Sequence, residues 1–249
     1  MSKELVLINQ FFRCKANALR TVEIEKVLRF NVANTHFSKY ICLTESKEDR
    51  EYVLELLKPL PSHVEVINFN KRISFNDIFL LATIRADLHE RVWILGNADI
   101  YFDETVTYLG RLTEAEAAVI TRHNVKQDGS IVLEQYPFCT QDVWSFVAPP
   151  PGYLLTEQSK VLQGNWGCEN RIAYEIATAG LAVYNPCVQV RCLHLHLVEE
   201  NTRPDGSCRV YGNYLYVRES EIPGTTTPVK ERNMPHLMPK FVPAGTKFE

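Results

Sequence analysis

The stretch VWILGNADIYFD, residues 92 to 103, decides how this chain is read: four apolar residues, Val92-Trp93-Ile94-Leu95, break into Gly96-Asn97-Ala98-Asp99 before the sequence turns apolar again. A short uncharged run of this kind reads as a strand buried on both faces. A core strand that ends on an amide and a carboxylate delivers polar groups to one edge of a sheet. In open α/β sheets that carboxyl edge is where ligands sit.

The same unit recurs upstream. Leu5-Val6-Leu7-Ile8 is strand-length and apolar, and after Asn17 the positions Leu19, Val22, Ile24, Val27 and Leu28 follow at mostly helical spacing. Tyr40-Ile41-Cys42-Leu43 is a second strand, and Ser46 to Asp49 opens a helix carrying Val53, Leu56 and Leu57 that Pro59 and Pro61 stop. Val64 to Phe69 is a third strand, with Ser74-Phe75-Asn76-Asp77 capping the helix of Ile78, Leu81, Ile84 and Leu88. Strand-helix units in series predict an α/β fold with a mostly parallel central sheet flanked by helices, joined by right-handed crossovers. The residues ending each run are then the candidate ligand contacts: Asn9 and Gln10, Thr44, Asn70 with Arg72, and Asn97 with Asp99. Asn9 to Cys14 contains no G-x-G-x-x-G, and a Walker loop is absent, so a bound phosphate must be held by a metal or by side chains.

The second half is organised differently. Ala117 to Arg122, a short strand within QDGSIVLEQ, Asp142 to Phe146 and Val188 to Leu197 read as strands, and a helix through Ile172, Ala173, Ile176 and Ala177 stops at Gly180. Beyond about residue 219, five prolines (Pro223, Pro228, Pro235, Pro239, Pro243) predict a tail with little regular structure. The 249 residues, 45% hydrophobic, suffice for one α/β domain, and a net charge of −3 with interspersed signs argues against a nucleic-acid scaffold. Seven scattered cysteines (14, 42, 139, 168, 187, 192, 208), none in a C-x-x-C pair, point to reduced thiols in the cytoplasm. No run reaches the ~20 apolar residues of a spanning helix and the N-terminal run is too short for a signal peptide, although a peripheral position at a membrane surface stays open.

The chemistry-bearing residues are few. Asp99 leaves the core at a strand end, and His194 and His196, two apart on a strand, point to one face, so together they make a ligand set for a divalent cation. A lone Asp after a strand commonly caps a turn, and His-x-His commonly marks two half-buried histidines. Asp103, before Glu104-Thr105-Val106, reads as the N-cap of a short helix rather than a ligand. Glu169, in Trp166-Gly167-Cys168-Glu169-Asn170, stands in the first turn of a helix, where a carboxylate serves either the dipole or catalysis. Trp144 and Trp166 offer indole faces for a sugar or acceptor pocket, and Gly167 permits close backbone approach, although either tryptophan can equally be core.

The order Asn97-Ala98-Asp99, Asp142-Val143-Trp144, Gly167-Cys168-Glu169-Asn170 and Cys192-Leu193-His194-Leu195-His196 resembles the GT-A class of nucleotide-sugar glycosyltransferases over about residues 4 to 200. The resemblance implies a Rossmann-like three-layer sandwich with Asn97 and Asp99 on the D-x-D motif, Glu169 on the acidic base position, and His194 or His196 as a late metal ligand. The first acidic position is Asn97, a departure from that pattern. Residues 1–218 would form one catalytic domain, with 1–103 the nucleotide half (Gln10, Thr44, Asn70, Arg72, Asn97) and 104–218 the acceptor half, followed by the tail at 219–249. The implied activity moves a sugar from a UDP- or GDP-sugar to a glycan or small hydroxyl acceptor, assisted by Mn2+ or Mg2+. Glu169 or Asp142 takes the acceptor proton if the transfer inverts. Two other readings fit the same residues: a metal-dependent hydrolase using Asp99, His194 and His196, and a non-catalytic nucleotide- or glycan-binding domain.

Overall fold

A computed structural model describes residues 2–195, 209–223 and 234–242. The upstream units form as the sequence predicts: β1 (Leu5–Phe11), α1 (Ala18–Ala33), β2 (Phe37–Thr44), α2 (Lys47–Leu56), β3 (Val64–Asn68), α3 (Phe75–Ile84) and β4 (Val92–Gly96). Each helix begins where a side chain can hold orphan amides. Asn17 accepts from the N–H groups of Leu19 and Arg20, Ser46 from that of Asp49, and Ser74 with Asp77 closes a reciprocal capping box. Downstream come β5 (Ile100–Phe102), β6 (Glu116–Val125), β7 (Ile131–Leu133), β8 (Gln141–Val147), α4 (Cys168–Thr178), β9 (Ala182–Tyr184), β10 (Cys192–Leu195), β11 (Gly212–Val217) and β12 (Leu237–Val242).

The main sheet runs β3-β2-β1-β4-β8-β6-β10-β5, with β7 and β9 also pairing β6. β1 to β4 are parallel. β8 runs against β4 and β6, which returns β6 to the direction of the first four, and β9 and β10 follow it. Among the described residues only β5, β7 and β8 oppose that direction, so the sheet is mostly parallel. Its two faces carry separate cores. Ile24 and Leu28 of α1 and Val53 of α2 cover one face. Ile78, Phe79 and Ala82 of α3 and Ile172, Ala173 and Ile176 of α4 cover the other. This is a three-layer, GT-A-like sandwich.

One irregularity positions the site. The β6–β8 register shifts between Ile120 and Thr121, a bulge that lets the second half of β6 leave β8 and pair with β7 and β10. Arg122 and Asn124, two apart and therefore on one face, are carried to the neighbourhood of the β4 terminus.

Several expectations need correction. The strand expected over Val188 to Leu197 begins later, at Cys192, because the Pro186 carbonyl accepts from the N–H groups of both Gln189 and Val190 and closes a turn there. Residues beyond 195 in that segment, His196 included, lie outside the described residues. The proline-rich region does contain a strand, β12, antiparallel to β11 with Pro239 opposite Leu215. Among the described residues that ribbon has only two strands, and an edge tolerates a proline that lacks an N–H. Six of the cysteines are free thiols, and Cys208 is outside the described residues. Among the described residues no helix is long and apolar enough to cross a membrane.

Candidate active site

At Gly96 the β4 backbone leaves the sheet, and two asparagines hold the exit. The Asn9 amide donates to the carbonyls of Gly96 (3.1 Å) and Asn97 (2.9 Å), while Asn31 of α1 donates to Asn9 Oδ1 (3.2 Å) and the Ile100 carbonyl (2.9 Å). A Cβ at position 96 would lie 2.8 Å from Asn9 Nδ2, so only glycine lets that amide reach the strand end. The turn that follows, closed by the Ile100 N–H to the Asn97 carbonyl (3.1 Å), presents Asn97 and Asp99 at the carboxyl edge.

Asp99 is the centre of a buried polar cluster. Its Oδ2 accepts from Arg20 Nη2 (2.5 Å) and lies 3.0 Å from His194 Nε2, while Arg20 Nη1 bonds Glu23 one helical turn on. Burial by itself would push the Asp99 carboxyl up, but His194 and Arg20 together outweigh it and hold it well below the ordinary carboxylate range. The same pairing raises the Arg20 guanidinium against its own desolvation. His194 Nδ1 lies 3.2 Å from Asn124 Oδ1, and Asn124 is oriented by Arg122 Nε on that oxygen (3.1 Å) and by Glu134, which accepts from its Nδ2 (3.0 Å). Both ring nitrogens of His194 thus face oxygens.

A second set of contacts joins Asn97 to Asp142. Asn97 Nδ2 donates to Asp142 Oδ1 (2.7 Å), its backbone N–H donates to the Asp142 carbonyl (3.0 Å), and its Oδ1 accepts from Gln163 Nε2 (3.0 Å). Arg122 closes the circuit, with Nη1 3.4 Å from Asp142 Oδ2 and Nη2 3.2 Å from Glu134. Burial raises the Glu134 carboxyl, but its bond from Asn124 and the Arg122 charge bring it below its ordinary value.

The structure therefore brings Asn97, Asp99, Asp142 and His194 together. Asp103 is an N-cap, accepting from the Thr105 N–H (3.0 Å). On the nucleotide side Gln10 bonds Glu45, exposed Arg72 donates to the Gln163 carbonyl (2.8 Å), and Asn70 sits exposed with φ 54° beside Asn68. Thr44 is fully buried, with its hydroxyl 3.5 Å from the Ile67 carbonyl and Asn68 Oδ1. Trp144 also departs from expectation. It is 1% exposed and packs edge-on to Phe75 at 4.7 Å, so it belongs to the core and not to an acceptor pocket. Gly167 has φ 80°, and a Cβ there would overlap the Tyr214 hydroxyl; packing against β11 demands this glycine. Trp166 remains exposed, with Arg209 over its ring at 5.9 Å. Glu169 opens α4, half-buried, and its charge, after burial, helps to raise the Cys139 and Cys168 thiols.

Sequence reasoning missed Glu23, Arg20, Arg122, Asn124, Glu134 and Gln163. Glu23 alone carried a signal, as a carboxylate on the helix stripe of Ile24, Val27 and Leu28. Glu23, Asp99 and His194 each offer a ligand atom within 4.8 Å of the others, and Asp99 Oδ1 is buried without a hydrogen-bond partner. Carboxylate oxygens with an imidazole nitrogen fit a divalent cation such as Mn2+.

No protein-family model matches the sequence, and no curated protein matches it. Among solved structures, the mannosyltransferase of Pyrobaculum calidifontis, determined in complex with GDP-Man and Mn2+, superposes with a TM-score of 0.50 at 11% identity, over 81% of this chain and 59% of that one. The likeness lies in the fold. The 4-diphosphocytidyl-2C-methyl-D-erythritol synthase of Anaerococcus prevotii gives a TM-score of 0.40 at 11% identity, over 58% of this chain and 70% of the other. The chain thus spans less than two thirds of the mannosyltransferase.

Proposed function

We propose that the protein transfers a sugar from a UDP- or GDP-sugar to a hydroxyl of a glycan or small acceptor. The observation that carries this reading is the convergence of Asn97, Asp99, Asp142 and His194, with Arg20 and Arg122 among them, at the carboxyl edge of a GT-A-like sheet. Residues 1–103 hold the nucleotide, with Gln10, Asn70 and Arg72 at its edge, and residues 104–218 hold the acceptor. Asp99 and His194 would hold Mn2+ or Mg2+, which would supply positive charge to offset that of the leaving diphosphate. Asp142 is engaged by Asn97 and Arg122 and orients the strand end, which leaves Glu169 to take the acceptor proton in an inverting transfer. Trp166 borders the acceptor side.

Melting shifts with UDP and GDP, with and without Mn2+, test the reading together with a transfer assay. A shift that needs Mn2+, and sugar transfer that falls ~10²–10⁴-fold in Glu169→Gln while the shift persists, is the expected pair of results. Hydrolysis without any sugar donor and with Zn2+ preferred would make the protein a hydrolase. Nucleotide shifts without turnover of any donor would make it a binding domain.

A further inference from the structure

We infer that Glu23 completes, with Asp99 and His194, a site for one divalent cation, and that the Arg20 guanidinium is the competitor this cation displaces. The inference rests on the reading of this edge as a cation site and adds two residues from α1 to it.

Glu23 is fully buried on the stripe by which α1 packs on the sheet, beside Ile24, Val27 and Leu28. A carboxylate in such a place needs a positive partner, since burying its charge alone is strongly unfavourable. Arg20 supplies that partner and spans two carboxylates at once, with one nitrogen on Glu23 and the other 2.5 Å from Asp99 Oδ2. Asp99 is 8% exposed, and its second oxygen is buried with no hydrogen-bond partner. The guanidinium therefore leaves one buried acceptor of the cluster unused. A small divalent ion among the three donors, which lie within 4.8 Å of one another, is the group whose chemistry uses both oxygens and the imidazole together.

Arg20 is also able to leave. Its side chain is 25% exposed, whereas those of Glu23 and Asp99 are 0% and 11% exposed, so the guanidinium has an open way to solvent while the carboxylates stay fixed. Cation and guanidinium contend for the same oxygens, and the apparent metal affinity is reduced by the share of molecules in which Arg20 is seated.

Mn2+ titration read by the electron paramagnetic resonance of the free ion tests this without any turnover. Arg20→Met is expected to bind Mn2+ about tenfold tighter than wild type or more, ~1.4 kcal/mol at 25 °C. Arg20→Lys, a weaker competitor, should fall between them, and it stands in if Arg20→Met does not fold. Glu23→Gln is expected to weaken binding about tenfold or more, and Arg20→Met should then gain little in the Glu23→Gln background, because the contested oxygen is gone. Wild-type affinity in Arg20→Met, Arg20→Lys and Glu23→Gln alike would overturn the inference and leave a site made of Asp99 and His194. Mn2+ binding by neither the wild type nor the Arg20 variants would overturn the cation site itself.

Discussion

Asn97→Asp would place two acidic residues at the strand end, and the geometry predicts that it harms the protein. The new carboxylate would replace an amide that donates to Asp142 Oδ1 at 2.7 Å, opposing two negative charges across a hydrogen-bond distance. At an effective dielectric of ~20 that repulsion is about 6 kcal/mol with both groups ionised at 2.7 Å. Uptake of one proton relieves it, at a cost at pH 7 of about 4 kcal/mol for a carboxyl with an ordinary pKa of ~4. The smaller figure sets the ceiling, and Arg122, 3.4 Å from Asp142, lowers it further. The sign follows from linkage. The folded pair binds a proton that the unfolded chain releases, so the variant approaches wild-type stability near pH 4 and loses up to ~1.4 kcal/mol per pH unit above it. Urea unfolding at pH 5, 6 and 7 measures that slope. The exchange Asn97→Asp with Asp142→Asn should recover most of the loss, because the carboxylate at position 97 then accepts from Gln163 and from the new amide, whose oxygen faces Arg122. An Asn97→Asp protein with the wild-type pH dependence would refute the reasoning. Nucleotide binding should decline in the single variant and return in the exchange.

Three further outcomes separate site from scaffold. Asp99→Ala should abolish Mn2+-dependent melting shifts with nucleoside diphosphates, whereas Asp103→Ala should keep them and lose about 1 kcal/mol of stability with its cap, as read by chemical denaturation. Asp77 is pushed up by burial but brought below its ordinary value by Lys71 at 2.7 Å and the Ser74 N–H and hydroxyl; it stabilises the fold above the unfolded carboxyl pKa, an advantage lost as pH falls below ~4, so Asp77→Asn should flatten the acid limb of the stability curve. Trp144→Ala should cost about 3–5 kcal/mol in urea unfolding, as core truncations do, while the corresponding change at exposed Trp166 should leave stability within about 1 kcal/mol.

The layers are legible because physics writes them locally. Strands buried on both faces must be uncharged runs, and helices beginning at Asn17, Ser46 and Ser74 announce themselves by the side chains that hold their first amides. The same rule exposes Asn97, Asp99 and Asp142, polar residues at the margins of apolar runs. Glu23 stays hidden because helical periodicity is read from apolar positions only, and a carboxylate on that stripe is passed over. Arg122 and Asn124 alternate with buried neighbours as any solvent-facing pair on a strand would; the bulge that turns them toward His194 has no spelling of its own. Gln163 lies in a loop without period. Trp144 and Gly167 mislead by residue type: the indole fills the core against Phe75, and the glycine answers to Tyr214, distant in sequence.

On the proposed function, charge decides how this edge would meet a diphosphate. Glu23 and Asp99 pair with Arg20, Glu134 and Asp142 pair with Arg122, and His194 beside Asp99 is a further group that can carry a proton. Each guanidinium is already committed to two carboxylates, so neither can neutralise a phosphate without abandoning one of them. A diphosphate approaching alone meets surplus negative charge in a half-buried place, where screening is weak. Held by Asp99 as proposed, a divalent cation would remove that surplus and leave Arg20 in need of a new anion, which a diphosphate would provide. On that proposal metal and nucleotide would strengthen each other's binding by the same factor, since coupling between two ligands is reciprocal.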